Sequence, residues 1–169
     1  GLSSGYAPIA AVAVRDSVFE GFKEKGDVAL GHLLTFGGQA VACSAALKNI
    51  EIFKQENLVQ QSAEKGEYLK KQLQELSSHP SVGDVRGLGL MCGVEIVKNK
   101  ETKEKFGREA QFTKRVSELV NEKGLLTRVW DTIHLAPPFV VTIDEIDRMV
   151  AITDEALTQA ENEYAAELG

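Results

Sequence analysis

Mostly apolar side chains recur every three to four residues in four segments of the chain, which is the pattern of amphipathic helices. The four stripes are Ala46, Ile50 and Phe53; Leu69, Leu73 and Leu76; Phe112, Val116, Leu119 and Val120; and Ile146, Met149, Val150, Thr153 and Leu157. The first helix is expected to begin near Gln39. Capping-box spacing predicts that the second begins at Asn57 and the fourth at Thr142, while Gly124 is expected to end the third.

Other segments favour β-strands. Residues 9–14 form a continuous run of small apolar side chains, which suits a strand covered on both faces. Over residues 84–97 the period is two, with glycines concentrated on one face, which predicts one strand that another backbone or a ligand can approach closely. Residues 125–130 and 132–135 have the composition of two short strands around a turn at Asp131.

The order of these elements predicts two regions of different architecture. After the first strand, Asp16 is expected to cap a short helix that Gly26 ends, and residues 31–38 are expected to form a loop. This beginning is typical of a layer of an α/β fold with a parallel sheet. From about residue 58 onward, helices on one side of a small, mostly antiparallel sheet predict an α+β unit, joined to the first region through the helix near Gln39.

Composition narrows the classes of function. The chain has 169 residues, 43% of them hydrophobic and 26% charged, which is ordinary for a soluble globular protein. Its net charge of -6 disfavours nucleic acid and anionic membranes as partners, and no apolar run is long enough to span a bilayer. Cys43 and Cys92 form no ligand-spaced cluster with the histidines, so we expect reduced thiols, no metal site and a cytoplasmic location.

One candidate for binding chemistry is the stretch Thr35-Phe36-Gly37-Gly38, directly before a predicted helix. A hydroxyl, backbone N–H groups and a helix N-terminus would meet there, which favours an anion such as phosphate. The alternative interpretation is an ordinary helix cap, and the pattern leaves both open.

A second candidate is Arg128, which lies inside an otherwise apolar segment. Its guanidinium could receive a carboxylate in a two-point contact, or it could extend to water along the surface. His32, His79 and His134 are interpreted as structural. The residues provide no complete nucleophilic set, acid–base pair or metal set.

Four stretches together resemble the C-terminal part of class III pyridoxal-phosphate-dependent aminotransferases, of the ω-amino acid:pyruvate type above all. They are GLSSGYAPIAAVAV, GHLLTFGGQAVACSAALKNIEI, VGDVRGLGLMCGVEIV and GLLTRVWDTIHLAPPFVVTIDEID, and they occur in the family's order and spacing. The resemblance implies the C-terminal portion of the fold-type-I transferase fold, α/β with α+β. It assigns residues 1–38 to the end of the large cofactor-binding domain, 39–57 to a connecting helix and 58–169 to the small domain.

The resemblance also implies site residues. In the family, the lysine that forms the Schiff base with pyridoxal phosphate stands directly before the Gly-Leu-x-Ser-Gly-Tyr turn, so it would precede Gly1 and no catalytic residue is expected within this chain. Thr35, with Phe36 beside it, matches the loop whose threonine reaches the cofactor phosphate of the neighbouring subunit in a homodimer. Arg128 matches the arginine that receives the carboxylate of the substrate. The chain by itself is then expected to be inactive and not to bind the cofactor.

The sequence departs from the usual family pattern at two places. Gly38-Gln39-Ala40 stands where Gly-His-Pro is usual, and Arg128-Val129 stands where Arg-Pro is frequent. Both departures bear on the substrate more than on the class. The implied reaction is transfer of an amino group from an amine or ω-amino acid to a keto acid such as pyruvate; the alternative is a self-standing, non-enzymatic α+β association domain.

Overall fold

The computed structural model describes residues 1–23, 34–107 and 110–168 of the chain. It falls into two units, Gly1–Leu58 and Val59–Gly169. Gly26, His32 and the beginning of the predicted loop 31–38 lie outside the described residues. No helix of the described part is long and apolar enough to cross a membrane.

The first unit contains helices α1 (Asp16–Lys23) and α2 (Ala40–Gln55). Helix α2 begins where expected, because the side-chain Oε1 of Gln39 accepts a hydrogen bond from the backbone N–H of Ala42 at 2.7 Å. The expected strand over residues 9–14 is not formed: these residues lie outside any helix or strand. A strand exists only where a neighbouring strand pairs its N–H and C=O groups, and no described residue pairs with this segment in a ladder.

Helix α3 (Leu58–Glu75) begins next to the expected residue but for a different reason. Asn57 has φ 51° and donates its backbone N–H to the carbonyl of Lys54. This left-handed conformation is the one with which residues terminate a helix, and the side chain of Gln60 bonds Glu64 instead of reaching back. The predicted capping box is therefore wrong, and Asn57 ends α2.

The second unit is built on an antiparallel sheet in the order β1 (Val82–Leu88), β2 (Met91–Ile96), β3 (Thr132–Leu135). The predicted single strand over residues 84–97 is wrong, since the chain reverses at Gly89, which has φ 54°. The two residues of the reversal continue the alternation of apolar residues and glycines along this segment. The sequence pattern therefore gives no sign of the turn. Leu88 consequently lies on the outer face and is 90% exposed, whereas Cys92, Val94 and Ile96 are buried.

Only β3 forms of the two short strands expected around Asp131. In residues 125–130, Val129 makes an isolated bridge with Ile133, and the rest is irregular. The segment turns back over β3 too tightly to continue a ladder, since Trp130 already donates its N–H to the carbonyl of Thr132.

Three helices cover the inner face of the sheet: α3, α4 (Gln111–Glu122) and α5 (Ile143–Glu163). Short 3₁₀ helices follow at Leu76–Ser78 and Ala165–Glu167. The capping box predicted for α5 is confirmed, because Thr142 and Glu145 exchange side-chain and backbone hydrogen bonds. The stripes of these helices meet the strands in one core, whose fully buried members include Leu69, Leu73, Val94, Ile96, Phe112, Val116, Ile133, Ile146 and Leu157.

Helix α3 approaches the β1–β2 turn at a pair of glycines. A Cβ atom built on Gly66 would lie 2.1 Å from the carbonyl carbon of Gly89. Real Cβ atoms do not come so close to backbone, so only glycine at position 66 permits this contact.

A polar cluster around the buried His79 joins the start of β1 to α5. The ring of His79 lies between two carboxylates, with Nδ1 2.9 Å from Glu161 and Nε2 2.8 Å from Asp154. Glu161 also accepts hydrogen bonds from the backbone N–H and hydroxyl of Ser81, and Lys100 Nζ donates to the carbonyl of His79. Burial lowers the pKa of His79, but the hydrogen bonds to Glu161 and Asp154 outweigh it and raise the pKa above its ordinary value.

Candidate functional site

Thr35 and Phe36 lie together in the turn that leads into α2. The turn is closed by backbone hydrogen bonds from Gly37 to Leu34 at 2.9 Å and from Gln39 to Phe36 at 3.3 Å. Both side chains are exposed, and the Thr35 hydroxyl has no hydrogen-bond partner among the described residues. It is free to donate to a ligand oxygen.

Some of the N–H donors at the N-terminus of α2 already have hydrogen-bond partners within the chain. Gln39 Oε1 occupies the N–H of Ala42, and the N–H groups of Gly37 and Gln39 are used within the turn. An anion at this place would meet the Thr35 hydroxyl and those backbone amides that the turn and the Gln39 cap leave free. The helix end therefore offers fewer free donors to an anion than the sequence pattern indicates.

The backbone around Arg128 is held to β3 by two hydrogen bonds with His134. Its carbonyl accepts a hydrogen bond from the N–H of His134 in β3 at 3.0 Å, and the hydroxyl of the preceding Thr127 donates to the carbonyl of His134. The following Val129 is buried. Arg128 and Trp130, on either side of Val129 in the chain, are both exposed.

The exposed Arg128 side chain rests on an aromatic ring. Its guanidinium carbon is 4.8 Å from the ring centroid of Trp130, within the range of a cation–π contact. Among the described residues no carboxylate forms a salt bridge with Arg128, whereas Arg86 and Arg115 are both paired with acids.

The acid nearest to Arg128 in sequence is engaged elsewhere. Asp131 lies 2.8 Å from Lys105, and Lys105 also lies 2.9 Å from Glu95. Hydrogen bonding to Lys105 lowers the pKa of Asp131 and contributes first to the lowered pKa of Glu95. Arg86 extends this network to Asp84. Asp84, Glu95 and Asp131 are thus paired with Arg86 or Lys105, and none of the described acids forms a salt bridge with Arg128.

The candidate residues are divided between the two units. Thr35 and Phe36 belong to Gly1–Leu58, and Arg128 belongs to Val59–Gly169. Among the described residues, no group of histidine, cysteine, aspartate and glutamate is arranged to hold a metal ion.

The model of the family "Aminotransferase class-III" matches residues 1–157. The chain belongs to the class III aminotransferases. It is 38% identical over 165 residues to a putrescine–pyruvate aminotransferase of Pseudomonas aeruginosa, a match that covers 94% of this chain and 35% of that enzyme. The chain therefore spans about a third of the length of the curated relatives it matches.

Solved structures of omega-transaminases have the same fold. An (S)-enantioselective omega-transaminase from Thermomicrobium roseum superposes with a TM-score of 0.86 at 35% identity, covering 95% of this chain and 36% of that one. An omega-transaminase from Pseudomonas jessenii, solved in complex with PMP, superposes with a TM-score of 0.87 at 34% identity, covering 97% and 37%. The fold class expected from the sequence, part of the fold-type-I transferase fold, is confirmed.

Sequence reasoning missed two features of this class III chain. The first is the contact of Trp130 with Arg128. Trp130 was interpreted only as part of an apolar strand, although two residues that are two positions apart in a strand lie on the same face. The partners of His79 had no sequence signal, because Asp154 and Glu161 lie 75 and 82 residues further along the chain.

Proposed function

We propose that this chain is the C-terminal portion of a pyridoxal-phosphate-dependent aminotransferase that moves an amino group from an amine or ω-amino acid to a keto acid such as pyruvate. The observation that carries the proposal is Arg128: an exposed guanidinium on a fixed backbone, without an acid partner among the described residues, in a chain of this family. Two parallel N–H donors match the two oxygens of a carboxylate. The name of the relative from Pseudomonas aeruginosa, which pairs an amine with a keto acid, supports this substrate class.

In this proposal, Arg128 binds the carboxylate of the keto acid or amino acid and orients the reacting end of the substrate. Thr35 donates its hydroxyl hydrogen to a phosphate oxygen of the cofactor, with Phe36 beside it, across the interface of a homodimer. Pyridoxal phosphate, when bound, supplies the electron sink for moving the amino group. The residues of this chain bind and orient, while the lysine that holds the cofactor belongs to a longer cytoplasmic enzyme and the chain alone is inactive.

The proposed domain origins follow the family. Residues 1–38 come from the large cofactor-binding domain, 39–57 from a connecting helix and 58–169 from the small domain. The self-sufficient core of Val59–Gly169 supports the last assignment. No nucleic acid or membrane partner is part of the proposal.

The role of Arg128 is tested by separating the two half-reactions of the full-length enzyme. Replacing Arg128 with Ala removes the two-point contact, so kcat/KM for the keto acid should fall about tenfold to a hundredfold, as about 1.5–3 kcal/mol for a charged hydrogen bond implies. The half-reaction with an amine that lacks a carboxylate should change much less. Arg128→Lys should restore part of the loss, because an ammonium keeps the charge without the planar fork.

Single-turnover kinetics of each half-reaction decide the outcome. Arg148→Ala, which removes an exposed arginine of α5, is the matched control. An equal fall in both half-reactions would make Arg128 a packing residue, and no fall in either would remove Arg128 from substrate binding.

The role of Thr35 is tested through cofactor retention. Thr35→Ala should increase the dissociation constant of pyridoxal phosphate from the full-length enzyme, by about tenfold or more for one charge-assisted hydrogen bond. Thr158→Ala, at an exposed position of α5, is the control. Equal cofactor affinity in the two variants would remove Thr35 from the phosphate site.

A further inference from the structure

The guanidinium carbon of Arg128 lies 4.8 Å from the ring centroid of Trp130, close enough for the planar group to rest on the indole. A cation over an indole ring is held through its planar face, while the five N–H donors lie around its edge. Because a carboxylate binds to that edge, stacking and carboxylate binding do not exclude one another.

The stack is set by backbone that cannot easily move. The Arg128 carbonyl is bonded to His134, and the Trp130 N–H donates to the carbonyl of Thr132 at 3.3 Å. Val129, between them, is anchored in the core and bridged to Ile133. Residues 128 and 130 therefore keep their spacing and their common side, and the indole remains a surface on which the guanidinium can rest.

Nothing described on this surface competes for the donors of Arg128. Asp131 is held by Lys105, and Lys105 also contacts Glu95. Trp130 itself is 64% exposed, so it contributes little to the core, and burial of the indole gives no reason for its position.

We propose that Trp130 is a positioning residue that determines substrate specificity: its indole face holds the Arg128 guanidinium with the donor edge open and so increases selectivity for substrates that carry a carboxylate. This inference rests on the proposed function of Arg128. An arginine side chain loses much rotamer freedom on binding, and a platform that restricts it beforehand reduces that cost. Trp130 touches the arginine and acts on the substrate only through it.

The first test reads the stack without any reaction. Trp130 is the only tryptophan of the 169-residue chain, so its fluorescence reports on its own ring. Arg128→Met should shift the emission maximum or change its intensity, because the charge leaves the indole face. Arg148→Met, which removes another exposed arginine, should leave the emission unchanged. Identical emission from the parent chain and Arg128→Met would show that the stack is absent in solution and would overturn the inference.

The second test measures selectivity in the full-length enzyme, as the ratio of kcat/KM for a carboxylate-bearing substrate to that for a carboxylate-free amine. Trp130→Leu should lower this ratio about twofold to fivefold, the size of an exposed cation–π contact, through the KM of the carboxylate-bearing substrate. Trp130→Phe should lower it less, since phenylalanine keeps a weaker ring face.

Arg128→Met and Trp130→Leu together show whether the role of Trp130 alone is wrong or the proposed function of Arg128 is wrong as well. If Arg128→Met lowers the ratio and Trp130→Leu does not, the inference is wrong and the proposed function stands. If Arg128→Met leaves the ratio unchanged, the carboxylate role of Arg128 and the role of Trp130 are both wrong. A loss in Trp130→Leu that affects both substrates equally would also overturn the inference, because it would indicate a structural role.

Discussion

The two units of the chain use their apolar residues in different ways. In Val59–Gly169, the stripes of three helices and the inner face of the sheet close into one core. In Gly1–Leu58, α1 has no buried residue and α2 buries only Ala42 and Ala46. The exposed large apolar residues of this first unit include Tyr6, Val12, Phe36, Val41 and Leu47. A hydrophobic pattern indicates which face of an element is to be covered, but among the described residues only those of the second unit cover such faces within their own unit.

The largest expected effect on stability comes from truncating a leucine in each unit and comparing the two losses. Leu73→Ala in α3 should destabilise the chain by about 2–5 kcal/mol, because Leu73 is fully buried and its loss leaves a cavity. Leu47→Ala in α2 should change the free energy of unfolding by less than about 0.5 kcal/mol, since Leu47 is 68% exposed. Urea unfolding measures both, and similar midpoints for the two variants would contradict the division.

The core of the second unit could be predicted from the sequence because its signals are local. Leu69, Phe112 and Ile146 were placed on the buried faces of their helices by spacing alone, and the structure confirms these placements. The capping box at Thr142 needs only residues three apart, and it is also confirmed.

The errors arose where the structure depends on contacts between distant segments. The run at residues 9–14 has strand composition but no described partner strand, and the reversal at Gly89 is invisible to a period-two pattern. The His79 cluster depends on acids from α5, far along the chain. Of the candidate site, the sequence predicted a loop at Thr35 before a helix and a charged residue, Arg128, in an apolar segment, whereas the contact of Arg128 with Trp130 is visible only in the structure.

The next effect compares a glycine in each unit. Gly66→Ala should destabilise by about 3 kcal/mol, the upper part of the usual range for overpacking, since the new Cβ would meet the backbone of Gly89. That outweighs the gain of up to about 1 kcal/mol that alanine brings to a helix. Gly21→Ala in α1 has open space around it and should show only that gain. Urea midpoints and amide exchange in α1 measure the pair; an unchanged midpoint for Gly66→Ala would mean that α3 and the turn can separate.

A smaller effect on stability depends on pH and comes from His79 in the second unit. The pKa of His79 is raised in the folded chain, so the folded form binds the proton more tightly than the unfolded form does. This stabilisation is complete below the ordinary histidine pKa of 6.5 and is lost as pH rises through the raised folded pKa. His79→Gln should remove about 1.5–3 kcal/mol at low pH, as for hydrogen bonds to charged groups, and less at high pH.

Urea midpoints from about pH 5 to about pH 9 measure this dependence. His134→Gln, at an exposed position of β3, is the matched control. The same pH profile for the parent chain and His79→Gln would show that the cluster does not hold a proton in the folded state.

The smallest effect compares the two helix caps. Thr142 and Glu145 exchange hydrogen bonds at 3.2 Å and 2.8 Å at the start of α5, whereas the side chain of Gln39 accepts one hydrogen bond, from the N–H of Ala42, at the start of α2. Thr142→Ala should destabilise the second unit by about 1 kcal/mol, because the first turn of α5 places Ile146 in the core and fraying there disturbs packing.

Gln39→Ala should increase amide exchange in the first turn of α2 without moving the urea midpoint, since the neighbouring Ala40 and Val41 are exposed and pack against little. Hydrogen exchange at Glu145 and Ala42 reports each cap directly, and urea unfolding reports whether its loss reaches the whole chain. A midpoint shift in Gln39→Ala as large as that in Thr142→Ala would mean that α2 unfolds together with the second unit. Exposed apolar residues in the first unit would then contribute to stability in a way that their burial does not indicate.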